Sequence, residues 1–122
     1  MDASQLRKQI QQRQREAAEL LGILKQRPPL MRGIVYPLRR KCGKTVCRCQ
    51  QGQLHESWVV SMPEDGRKRL RTVPPGKRMA WQQMSERYRR FRQARARLVK
   101  LWVELVKLVD ELERERTIPS PP

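Results

Sequence analysis

Aromatic residues are scarce in this chain: one Phe, two Tyr and three Trp among 122 residues. With so few large rings, the stretch between its two candidate helices buries too little apolar surface to fold unaided. Long apolar runs are missing too. None approaches the ~18 residues that span a bilayer, and the polar, Gln- and Arg-rich start does not read as a signal peptide. A cytoplasmic protein is the expectation. Histidine occurs once, and because it sits in the candidate metal cluster described below, none is left for a Ser/His or Cys/His catalytic pair. A P-loop, a Gly-rich phosphate cradle and the zinc-deaminase order H-x-E then P-C-x-x-C are likewise lacking. The expectation is therefore a protein that is not an enzyme. Acids are the last shortage, 12 against 28 Lys and Arg, for a net charge of +16.

That excess is concentrated. Residues 27–100 hold 20 Lys and Arg against Glu56, Glu64, Asp65 and Glu86, which is the whole +16, while the two ends together are neutral. Such a concentration costs self-repulsion, and its usual counterpart is a polyanion whose condensed counterions are released on binding. A surface that is merely solubilising would intersperse both signs. Nucleic acid is the expected partner, with an acidic protein or an anionic membrane as rivals.

What is present is a cluster. All three cysteines and the only histidine fall in 14 residues, from Cys42 through Cys47 and Cys49 to His55, in the pattern C-x4-C-x-C-x5-H. Three thiolates and an imidazole are the complement of a closed tetrahedral Zn²⁺ site, and Gly43 and Gly52 let a short backbone wrap an ion. The C-x-C step is tighter than the usual C-x2-C knuckle. A reduced thiol cluster, a disulfide and an iron–sulfur centre are the other readings, and an odd cysteine count suits neither of the last two. With the shell closed by four protein ligands and only Glu56 adjacent, hydrolytic zinc is not expected. Bound zinc would instead supply the folding free energy that the poor core lacks.

Along the chain, apolar residues at Leu6, Ile10, Ala17, Leu20 and Leu24 predict a first amphipathic helix, closed by Arg27-Pro28-Pro29. Ile34-Val35-Tyr36 suggests a strand that Pro37 would confine to an edge. After His55, residues 57–62 and 67–73 flank Asp65-Gly66 and predict a β-hairpin. Two-residue alternation groups Trp58, Val60 and Met62 on one face of the first strand, and Arg67, Arg69 and Arg71 on one face of the second. A long helix then runs to about Arg116, with a heptad seam through Trp81, Met84, Tyr88, Phe91, Arg95, Leu98, Trp102, Leu105, Val109 and Leu112. The fold expected is α+β, mainly α: two long helices forming an antiparallel coiled-coil hairpin around a small zinc-knuckle and β-hairpin insert. Its parts are an N-terminal helix (1–27), the zinc module (28–75), the long helix (76–116) and a disordered tail (117–122), in a single domain. Aligning Leu24 with Trp81 brings Arg13 to Arg95, a costly pair of like charges in a seam. Past Trp102 the first helix would run out, so Leu105, Val109 and Leu112 are expected to support a homodimer.

Basic residues group in three places. Arg39, Arg40, Lys41, Lys44 and Arg48 surround the cysteines, Arg67, Arg69 and Arg71 alternate on the hairpin, and Arg87, Arg89, Arg90, Arg92, Arg95, Arg97 and Lys100 follow without an acid on the long helix. Like charges three and four apart repel, so the helical run points to a polyanion that guanidinium can bind bidentately. Leu98, Leu105 and Leu112 also give the order of a basic leucine zipper, but the apolar seam continues upstream where a groove-reading basic region should have none. Phosphate contacts are expected from all three groups, to DNA or to structured RNA read through the backbone. A membrane-surface helix is disfavoured by Glu104, Asp110 and Glu111. An assembly adaptor that binds a larger protein or itself is the alternative function.

The motif order resembles that of a family of short bacterial and archaeal Cys3His proteins of uncharacterised function. Arg39-Arg40-Lys41 leads into Cys42-Gly43, Cys47-Arg48-Cys49, Gly52 and His55, then Trp58-Val59-Val60, Arg67–Arg71, Pro74 and the helix from Lys77, so the likeness spans roughly residues 31–115. It implies a Cys3His metal site and a place among the cargo of mobile elements, serving a transposase or recombinase. Glu56-Ser57-Trp58 stands where the family more usually has Gly-Pro followed by tyrosines, leaving Trp58 to inherit any stacking role.

Overall fold

The computed structural model describes residues 1–44 and 46–121, with the side chain of Cys49 outside the described part. Helix α1 spans Ala3–Leu24 and helix α2 spans Arg78–Arg116. Between them lie strands β1 (Ile34–Arg40), β2 (His55–Glu64) and β3 (Arg67–Thr72), with one 3₁₀ turn at Arg48–Gln51. The strands form one antiparallel sheet in the order β1-β2-β3. By packing the chain divides into two compact units, Met1–Arg27 with Arg90–Pro122, and Pro28–Arg89.

The first unit begins at a capping box. The Asp2 carboxylate accepts from the Gln5 N–H at 2.8 Å, and the Gln5 side-chain oxygen accepts from the Asp2 N–H at 3.0 Å. These bonds satisfy two donors that a helix start would leave orphaned. The buried apolar residues here are Leu6 and Ala17 on α1, and Ala94, Leu101, Leu105 and Leu108 on α2.

The expected antiparallel coiled-coil hairpin is not what forms: the chain has two helices and a three-stranded antiparallel sheet. From Phe91 onward the inward stripe of α2 follows Ala94, Leu101 and Leu108, one residue before the seam positions Arg95, Trp102 and Val109, which are exposed. The seam positions Leu98, Leu105 and Leu112 stay on the inward side, so the stripe turns by about half of the ~100° that one residue subtends, which exchanges Arg95 for a buried alanine. The expected clash of Arg13 with Arg95 is thereby avoided. Arg13 Nε instead lies 3.1 Å from Glu104, and Arg97 donates twice to Glu16, at 2.7 and 3.0 Å. Leu105, expected to await a partner, is buried within its own unit.

In the second unit, β2 is central and β1 is an edge strand, as Pro37 requires. The β2–β3 hairpin turns at Asp65 and Gly66, both at positive φ (50° and 75°). That backbone suits the right-handed twist of paired strands. Register pairs Val60 with Val35 and with Arg71, and Met62 with Arg69. Trp58, Val60 and Met62 therefore share one face with Arg67, Arg69 and Arg71. The start of α2 joins this unit through Met31 N–H, which donates to Met84 O at 3.1 Å, and through the Ser85 hydroxyl, which donates to Gly33 O. The Arg78 guanidinium sits 4.5 Å above the Trp58 ring, a cation–π contact. Val59, Val60 and Val73 are the buried residues of this small core.

Candidate metal centre

Strand pairing builds the site. Arg40, the last residue of β1, is the register partner of His55, the first of β2. The connection between them is therefore a loop pinched at its base by two strands, with Cys42 just beyond one strand end and His55 on the other. Cys47 precedes the 3₁₀ turn at Arg48–Gln51, and its N–H donates to Lys44 O at 3.4 Å while its carbonyl accepts from Gln50 N–H at 3.1 Å. Gly52, at φ 98°, reverses the chain back toward β2.

The sulfur atoms of Cys42 and Cys47 and a ring nitrogen of His55 all lie within 4.8 Å of one another. Three points so spaced share a centre about 2.8 Å from each at most, so modest closure reaches the ~2.3 Å Zn–S and ~2.0 Å Zn–N distances. Cys47 Sγ is 2.9 Å from His55 Nε2. Both thiols are half-buried and the imidazole is exposed. These three residues are close enough to bind a metal ion. Cys49, the fourth expected ligand, falls outside the described side chains.

Sequence reasoning missed Gln50. Its side-chain amide donates to Cys42 O at 3.2 Å and to Lys44 O at 3.4 Å, tying the first cysteine's turn to the second's. No local pattern announces it, because a surface glutamine becomes a brace only once the loop has closed.

The expected phosphate contacts fall into two groups. Arg39 pairs with Glu56 at 3.0 Å, Arg69 and Arg71 share Glu64 at 3.8 and 3.3 Å, Arg89 pairs with Glu86, and Arg87 donates to Pro29 O at 3.3 Å. Arg40, Lys41, Lys44, Arg48 and Arg67 are exposed and, among the described residues, form no ion pair. Arg90, Arg92, Arg95 and Arg97 belong to the other unit. There Arg97 is held by Glu16 and Glu104, and Glu16 is pulled below the ordinary carboxylate range chiefly by the Arg97 hydrogen bond.

No helix among the described residues is long and apolar enough to cross a membrane. In comparisons with known proteins, the chain matches no family model, no curated protein and no solved structure.

Proposed function

We propose that this chain is a zinc-stabilised, non-catalytic nucleic-acid-binding accessory protein, which engages DNA or structured RNA mainly through phosphates. One observation carries the reading: the Cys42, Cys47 and His55 donors converge beside Arg40 at the end of β1 and the loop residues Lys41, Lys44 and Arg48, all exposed without ion-pair partners among the described residues. Two sulfurs and an imidazole suit zinc, and the sequence offers Cys49 as a fourth donor to close the shell. An ion there fixes the loop, so its cations are held in place before a polyanion arrives. Ordering them costs less at binding. Arg67, at the turn end of β3 and without an ion pair among the described residues, extends the basic surface of the same unit. The exposed pairs of Arg39, Arg69 and Arg71 with carboxylates are weak enough for phosphate to displace. A role beside a transposase or recombinase rests on the motif resemblance alone.

The test is purification in high salt without nuclease, then metal analysis and sequencing of retained nucleic acid from the same sample. About one zinc per chain is expected. With on the order of six phosphate contacts, duplex affinity should fall roughly a thousandfold between about 50 and 200 mM salt. Metal-free protein with a flat salt titration would end this reading.

A further inference from the structure

Helix α2 is apolar on two sides. One stripe is buried within its unit, yet Val99, Trp102, Val103, Val106 and Val109 are each more than half exposed. At 100° per residue these five fall on one face. An exposed contiguous patch of this kind marks an interaction surface. Its ends are charged with opposite signs, as Arg92 and Arg95 precede it and Asp110 and Glu113 follow it on the same face, all four exposed. The whole set spans about 120° of arc.

We infer that this face binds a second copy of the chain, helix against antiparallel helix, about a two-fold axis at the Trp102–Val103 bond. Reflection about that bond exchanges Val99 with Val106, Ala96 with Val109, Arg95 with Asp110 and Arg92 with Glu113. Every apolar residue meets an apolar residue, and every guanidinium meets a carboxylate. A two-fold interface must be self-complementary in this way. Parallel packing would set arginine on arginine and acid on acid. The surface differs from the expected Leu105, Val109 and Leu112 set, because Leu105 is already buried. Arg92 and Arg95 then answer carboxylates of the second copy and are withdrawn from phosphate. Asp110 and Glu113 are what an anionic membrane would repel, so a lipid surface is the poorer occupant.

The experiment is light scattering and sedimentation on nuclease-treated full-length protein over about 1 to 100 µM. A mass of two chains is expected, persisting after chelation of any metal, which separates this inference from the zinc reading. Asp110→Arg and Arg95→Asp should each raise the dimer dissociation constant at least about tenfold, since every reversal acts twice in a symmetric dimer. The double variant Arg95→Asp/Asp110→Arg should restore dimerisation. Trp102→Lys should abolish it with helicity by circular dichroism unchanged, as the side chain is exposed. A monomer throughout this range, a dimer indifferent to these changes, or a monomer that sediments with phosphatidylserine vesicles would each overturn it.

Discussion

Gly33 has space for a hydrogen and little else. A Cβ there would lie 2.9 Å from Met62 Cγ, 3.0 Å from Val60 Cγ2 and 3.1 Å from Ser61 O. Val60 is fully buried and the carbonyl is backbone, so neither yields readily. Gly33→Ala should therefore destabilise the protein by about 1 to 3 kcal/mol through overpacking, read as a lower denaturant midpoint; an unchanged midpoint would show that Met62 simply moves aside. Nothing in the sequence marked this glycine, because the close approach is made by residues nearly thirty positions away. The candidate metal cluster was legible for the opposite reason. Three cysteines and the only histidine within 14 residues declare a shared chemistry wherever the chain goes, and the fold brings Cys42, Cys47 and His55 together as that chemistry requires.

At the scale of elements, helix ends and the hairpin were readable from local signals. Helix α1 ends at Leu24, shortly before the Arg27-Pro28-Pro29 expected to close it, and Asp65-Gly66 supplies the two positive-φ residues of the turn. The phase of α2 was not readable. Leu101 and Leu108 compete with Trp102 and Val109, both sets apolar and both spaced by seven, and only burial against real neighbours separates them. Ion pairs help to settle that choice, which makes α1 docking sensitive to acid. The folded-state pKa of Glu16 is depressed, so its stabilising contribution is present above the ordinary carboxylate value and is lost as pH falls through the lowered one. Thermal unfolding followed by circular dichroism should thus show wild-type stability dropping on acidification below the ordinary carboxylate range, with a shallower drop in Glu16→Gln. Superimposable pH profiles would mean that the Glu16–Arg97 pair contributes nothing.

Across the whole molecule, each of the two units has its own buried residues, and the candidate metal ligands Cys42, Cys47 and His55 lie in one of them. On the proposed zinc reading, chelation or Cys42→Ser should speed amide exchange in β1 and β2, while exchange in α1 and in α2 beyond Arg90 stays slow. A Cys42→Ser variant with full protection in the sheet would refute a structural metal. By itself the sequence determined the ligand cluster, the helix limits, the Asp-Gly hairpin and the basic middle, since each depends on residue type and spacing within a few turns of chain. The tertiary structure alone decided which side of α2 is buried, which arginines are tied to carboxylates and which surface is left apolar. Those outcomes depend on contacts between residues far apart in the chain, and a helix with two apolar faces cannot announce beforehand which of them its own chain will cover.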